Sequence, residues 1–316
     1  MVFKRTSLFF LVTSSLLFSQ TAQECEALKA KTHKTVDSEV LKLAQCYLDV
    51  SDYKEAIQWF LITAKHGDRM SQNIVASMYY FGDGVEKNYT EALKWFKKLA
   101  EKGDVDAQSK VGEMYYFGNG VEQNYKEAFK WYKKAAEKGH LYSQNKIARM
   151  YYDGEGVKRD LKVAYVRFTS LEQLGYAEAE SKMGEMYYFG ESIHQDYKKA
   201  FDWFSKAADQ GFAYAQSMVG YMYNAGQGVK KDYKKAFEWS LLAGEKNEAY
   251  SQVILGDLYS QGNGVKKDLI RAYAWYSLAV TNDVDSASEK LDALEEKLSE
   301  EEIKEAEALK LLKEKK

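Results

Sequence analysis

The phrase "YYFGDGVEKNYTEALKWF" occupies Tyr79 to Phe96, and "YYFGNGVEQNYKEAFKWY" occupies Tyr115 to Tyr132. A glycine-rich turn ahead of a helix can cradle a phosphate, and two copies alone leave that reading open. Further copies close it. The leading glycine recurs at Gly82, Gly118, Gly154, Gly190, Gly226 and Gly262, always 36 positions on. Trp95, Trp131, Trp203, Trp239 and Trp275 keep the same interval, with Arg167 in the vacant place and Trp59 one step earlier. A helical alanine follows suit from Ala56 to Ala272. A period of about 20 to 50 residues denotes a solenoid or array of supersecondary units. None of the turns follows a strand pattern or leads into Gly-Lys-Ser/Thr, so they read as connections between helices and not as phosphate loops.

Within one unit, Val111, Met114 and Tyr115 recur at the steps of a single apolar helical stripe ahead of the glycine, as do Val219, Met222 and Tyr223. This is helix A. After the turn stands Asn88, Asn124, Asp160, Asp196, Asp232 or Asp268, an N-cap residue that opens helix B. Asp52 with Glu55, Asn88 with Glu91 and Asn124 with Glu127 have capping-box spacing. Helix B ends at Gly67, Gly103, Gly139, Gly175 and Gly211, with Asn247 as the next stop, where a left-handed residue is wanted. A small residue on helix A (Ala76, Gly112, Ala148, Gly184, Gly220, Gly256) and the alanine of helix B allow close approach, with Tyr and Trp filling the remaining space. Each buried aromatic removes about 150 to 250 Å² from water, so stacked units stabilise one another where a single unit would not stand alone.

The chain has 316 residues, 46% hydrophobic and 29% charged, with no proline and 25 tyrosines. Uninterrupted helices packed through aromatic contacts follow from that composition. A net charge of -2 offers no electrostatic footprint for nucleic acid. The opening "MVFKRTSLFFLVTSSLLFSQTAQ" sets Lys4 and Arg5 before an apolar stretch from Leu8 to Phe18 and then small and polar residues, the form of a secretory signal peptide. Cleavage after Ser19 or after Ala22 fits, and an uncleaved anchor is the alternative; the apolar stretch is well short of the roughly 20 residues of a membrane span. We therefore expect a periplasmic or secreted, soluble chain. Cys25 and Cys46 are the two cysteines; in an oxidising compartment they can pair, and otherwise they are free thiols. Such a bridge closes a loop of about 20 residues and would stabilise that end by about 3 kcal/mol. The four histidines are scattered, so no metal site and no cofactor are expected.

The stretch "AQSMVGYMYNAGQGVKKDYKKAFEWS" from Ala215 to Ser240 resembles the Sel1-like repeat, a relative of the tetratricopeptide repeat, and the likeness covers about residues 39 to 284. It implies an all-α fold, a right-handed α/α superhelical solenoid of helix-turn-helix units. Residues 1–22 are then the signal peptide, 23–37 a helical lead, 38–68 a shortened first repeat, 69–284 six 36-residue repeats, and 285–316 capping helices. The first unit lacks the Gly-x-Gly insertion; the third full unit has Arg167 for Trp and Leu161 for Tyr; the fourth has Ser192 and Ile193 for Gly-Val. Ser299 and Glu302 form a capping-box pattern at the start of the last, highly charged helix.

The resemblance also raises hydrolysis, because cysteine-rich exported members are associated with penicillin binding and weak β-lactamase activity. Ser51–Lys54 and Ser143–Lys146 have the Ser-x-x-Lys spacing such an enzyme uses. Ser143 falls in the register of Ala107, Ala179 and Ala215, a packing slot; Ser51 adjoins the Asp52 cap; and Lys-Thr-Gly is absent. No catalysis is expected, and the weak hydrolase stands as the competing class. In this class of solenoid helix A lines the concave side, where positions 12, 9, 5, 2 and 1 before the glycine are not used by the apolar stripe. We expect a protein or peptide ligand there, bound by a monomer. The candidate contacts are Tyr80, Tyr116, Tyr152 and Tyr188, two before the glycine; Phe81 and Phe117, one before; Tyr142 and Tyr214, twelve before; and Glu113, Arg149, Glu185, Tyr221 and Asp257, five before. The bland alternative for the tyrosines is core packing. The helix B lysines read as a solvated face.

Overall fold

A computed structural model of the chain describes residues 22–31, 38–172, 174–191 and 193–314. The proposed signal peptide lies outside the described residues except for Ala22, and Ser192 is outside them too. The described residues form helices α1 to α17 and no strand. They divide into two compact units, one ending at His140 and one beginning at Leu141.

Unit 1 holds α1 (Ala22–Lys31), α2 (Ser38–Asp49), α3 (Tyr53–Lys65), α4 (Arg69–Phe81), α5 (Tyr89–Glu101), α6 (Val105–Phe117) and α7 (Tyr125–Ala136). Unit 2 holds α8 (Leu141–Asp153), α9 (Leu161–Glu172), α10 (Ala177–Phe189), α11 (Tyr197–Asp209), α12 (Ala213–Ala225), α13 (Tyr233–Gly244), α14 (Ala249–Gln261), α15 (Leu269–Thr281), α16 (Asp285–Glu295) and α17 (Glu300–Glu314). In each unit successive helices pair as hairpins, and each hairpin packs on the next, so both are α-solenoid stacks. Even-numbered helices from α4 to α14 are A helices; the helix after each is its B partner.

Local chemistry sets the boundaries. Asn88 and Asn124 accept the amides of Glu91 and Glu127, each at 3.0 Å, and Asp196 and Asp268 cap α11 and α15 likewise. The second half of the proposed capping box does not form at Glu91 and Glu127. Those glutamates turn outward to Lys94 (2.6 Å) and Lys130 (2.5 Å). Ser299 and Glu302 do make both bonds, at 2.8 and 3.4 Å. Asp68 and Asp104 cap α4 and α6 in the same way, a signal the sequence reading passed over. The stop residues are left-handed, from Gly67 (φ 98°) to Asn247 (φ 64°).

Packing departs from expectation at two places. The ring one place after the tryptophan position is wholly buried at Phe60, Tyr132, Phe168 and Phe204; the tryptophans themselves are buried at Trp59, Trp95 and Trp275 but only half-buried at Trp131, Trp203 and Trp239. That ring also explains the small residue on helix A. A Cβ on Gly184 would lie 2.7 Å from Phe204, and one on Gly256 would lie 2.3 Å from Tyr276, so these glycines face a ring; Gly220 instead meets Ser240 and the Ala236 carbonyl. Where the tryptophan is half-buried a lysine covers it, with Lys134 3.9 Å above Trp131 and Lys206 4.2 Å above Trp203; Lys98 lies 4.0 Å above the buried Trp95.

The second glycine of each turn has its own cause. A Cβ on Gly84 would stand 2.2 Å from the Tyr53 backbone, and one on Gly120 would stand 2.4 Å from Tyr89. The turns at Gly84, Gly120, Gly228 and Gly264 therefore rest on the first residue of the preceding helix B, where only glycine lets the two backbones meet. The returning chain is fixed by an amide bond from the N-cap to helix A, as in Asn88 to Tyr79 (2.8 Å) and Asp196 to Tyr187 (2.9 Å).

The first helices of unit 1 and the last of unit 2 are each tied down. Cys25 and Cys46 form a disulfide with Cα atoms 5.6 Å apart, tying α1 to α2. Tyr47 donates to Glu26 (2.6 Å) and Lys29 to Glu55 (2.9 Å) beside it. In unit 2, α16 and α17 cover α15 through Ala287, Leu294 and Ala306.

Candidate binding surface

The proposed contact residues fall into columns along the A helices, and neighbouring hairpins tie those columns together. Two before the glycine, each tyrosine is half-buried, and Tyr80, Tyr152 and Tyr188 reach the next hairpin. Tyr80 donates to Glu113 (3.3 Å) and accepts from Asn119 (3.5 Å), Tyr152 donates to Glu191, and Tyr188 donates to Gln227 (2.7 Å). Tyr116 packs edge-on to Phe117 and Tyr125. Burial pushes the Tyr80, Tyr152 and Tyr214 hydroxyls well above the ordinary tyrosine value and raises Tyr188 to about 12, so all stay protonated donors near neutrality.

Five before the glycine, the charges are compensated by neighbours. Glu113 accepts from Lys110 at 3.0 Å, Arg149 donates to Glu178 at 2.6 Å, Glu185 accepts from Lys182 at 2.6 Å, and Asp257 accepts from Lys290 at 2.6 Å. Burial raises the Glu185 carboxyl, and Lys182 opposes that rise. Tyr221 is more open and borders Tyr188. Twelve before the glycine, Tyr142 lies under Lys146 (5.1 Å), Tyr214 packs against Phe204 (6.3 Å), and Tyr250 is exposed.

One column faces water. Phe81, Phe117 and Phe189 are 57, 55 and 59% exposed, each held edge-on by the tyrosine before it at 4.9 to 5.0 Å. The position nine before the glycine is a correction. Ser109, Asn145, Ser181, Ser217 and Val253 are buried there, and among the six repeats only Asn73 is exposed. The half-open position is eight before, where Lys110, Lys146 and Lys182 stand; Lys110 lies 4.9 Å over Tyr80 and Lys182 lies 5.2 Å over Tyr152. The 36-residue ruler would have found that lysine column, and also the glutamines ten before the glycine. Gln72, Gln108 and Gln216 donate to carbonyls at the end of the preceding helix B at 2.9, 3.0 and 3.2 Å.

Ser143 of the Ser-x-x-Lys stretch is wholly buried in α8, and Ser51 sits in a left-handed turn beside Asp52. Among the described residues no group of three or more His, Cys, Asp or Glu is placed to hold a metal, and no helix is long and apolar enough to cross a membrane. The A-helix surface thus offers rings and compensated polar groups in register, which suits contact with another chain more than proton transfer.

The Sel1 repeat family model matches residues 42–68, 69–104, 105–140, 141–165, 177–212, 213–248 and 249–284. A Sel1 repeat protein from Oxalobacter formigenes is similar in structure, 28% identical with a TM-score of 0.76, over 86% of this chain and 80% of that one. So is a protective antigen of uropathogenic Escherichia coli with an SLR fold, 29% identical with a TM-score of 0.58, over 92% of this chain and 71% of that one. No curated protein matches the chain. Repeats of this kind generally mediate protein–protein interaction and are generally not enzymes. Seven matched repeats, stacked as hairpins in both units, make the chain a member of the Sel1 repeat family.

Proposed function

We propose that the protein is an exported scaffold that binds a protein or peptide along the surface lined by its A helices, the concave side in a solenoid of this class. The phenylalanine column carries the reading. Phe81 and Phe117 in unit 1 and Phe189 in unit 2 leave more than half their surface in water although the aromatic residues around them are buried or half-buried, and exposed rings of this kind are the anchors that interfaces use. The half-buried tyrosines beneath fix those rings and contribute a hydrogen-bonded floor. Export rests on the leader sequence and on the Cys25–Cys46 bridge. No reaction is assigned, since Ser143 has no exposed surface.

The Phe81→Ala/Phe117→Ala variant is expected to lose capture of the partner from a native envelope extract while its melting temperature stays within a few degrees. Retained capture would refute the assignment; a collapse in melting would show the rings to be structural. Nitrocefin turnover should equal background for both the protein and Ser143→Ala, and turnover that disappears in Ser143→Ala would revive the hydrolase.

A further inference from the structure

The turns and the first residues of the B helices form one edge of unit 2. A Cβ on Gly228 would lie 2.0 Å from the Tyr197 carbonyl oxygen, one on Gly264 would lie 2.4 Å from that of Tyr233, and Arg159 approaches Glu191 to 3.6 Å. The edge therefore runs unbroken over four hairpins. Its sequence reads "VKRDLK" (157–162), "DYKK" (196–199), "VKKDYKK" (229–235) and "VKKDLIR" (265–271), with twelve Lys or Arg against four Asp. All twelve cations are exposed, and the aspartates are occupied as N-caps.

The same edge of unit 1 has the opposite sign. "SDYKE" (51–55), "VEKNYTE" (85–91) and "VEQNYKE" (121–127) hold six acids against three lysines. The contrast is sharpest at the third helical position, which is Glu55, Glu91 and Glu127 in unit 1 and Lys199, Lys235 and Arg271 in unit 2. A cation in a first turn opposes the positive end of the helix dipole, so unit 2 carries its charges against local stability where unit 1 shows that glutamate is accepted. Three rings hold them in place: Lys199 lies 5.2 Å over Tyr187, Lys235 lies 5.2 Å over Tyr223, and Arg271 lies 5.7 Å over Tyr259. Arg159, Lys199 and Arg271 have a carboxylate within 4 Å; the other nine make no ion pair among the described residues. Where Leu161 replaces the tyrosine, Lys158, Arg159 and Lys162 of these twelve line an open cleft of about 690 Å³ together with Tyr151, Val157, Asp160 and Leu161.

We propose that this edge of unit 2 docks a polypeptide segment rich in aspartate and glutamate. Ordered, ring-supported cations beside helix N-termini suit carboxylates. An extended segment presents every second side chain on one face, so alternating acidic residues form a single row of carboxylates that can run along the cations of successive hairpins. The edge adjoins the A-helix tyrosines, with Arg159 over Tyr152 and Tyr197 against Tyr188, but the substitutions that test it leave Phe81 and Phe117 intact, so the two assignments fail separately.

The test is fluorescence anisotropy of a fluorescein-labelled peptide of alternating glutamate and alanine against the full chain. Binding should weaken with salt, and Lys199→Glu/Lys235→Glu should weaken it at least tenfold while the melting temperature holds or rises, since glutamate suits that first turn. A control of equal charge change, Lys42→Glu/Lys102→Glu, should alter affinity less than about twofold. The proposal is overturned by absence of binding, by equal losses in both variants, by preference for phosphatidylglycerol vesicles over the peptide, or by salt-sensitive self-association that accounts for the edge.

Discussion

Glu180 shows how one side chain departs from its column. It stands where Gln72, Gln108 and Gln216 donate to the preceding helix B, yet a carboxylate has no proton to give and instead accepts from Gln210 at 2.6 Å. With only 5% of its surface exposed, burial raises its carboxyl above the ordinary value. The unfolded chain then loses this proton at lower pH than the folded one. The destabilisation sets in as pH climbs from the unfolded value to the folded value, is complete above it, and is absent below both. Glu180→Gln should therefore gain about 1 kcal/mol at neutral pH, and much less below the carboxylate range, by urea unfolding at the two pH values. Glycines give a second contrast. Gly120→Ala drives a Cβ against the Tyr89 backbone and should cost more than about 2 kcal/mol. Gly139→Ala, left-handed but with nothing within 4 Å, should cost only about 1 kcal/mol.

Helix boundaries were legible because they are local chemistry: caps, left-handed stops and turn glycines act within a few residues. Asn124→Ala should accordingly lower stability by about 1 kcal/mol, measured by thermal melting. Which ring enters the core was not legible, because Trp203 and Phe204 are adjacent, both apolar, and separated only by the turn of the helix. The contacts of the binding surface were harder still. Tyr152 to Glu191 and Tyr188 to Gln227 depend on how far one hairpin is displaced on the next, which no pattern within a hairpin encodes. Position nine was misread for the same reason, as the stripe is widened by the adjacent A helix. At α1 the disulfide joins a helix whose buried apolar contribution is Cys25 and, in part, Leu28. Reduction should cost about 3 kcal/mol on the chain-entropy estimate, and hydrogen exchange should rise in α1 before the rest of unit 1.

At the scale of the molecule, hairpins within each unit are completed by their neighbours through backbone contact at the turn and polar ties between A helices. Stability in such an array is shared between neighbours, and the surface left over extends along the chain instead of gathering into one cavity. Hydrogen exchange of the protein with and without its captured partner tests this most directly. New protection should appear at residues 77–81 and 113–117, the exposed ends of α4 and α6, with unit 1's B helices unchanged. Protection confined to the B helices, or to a single enclosed site, would contradict it.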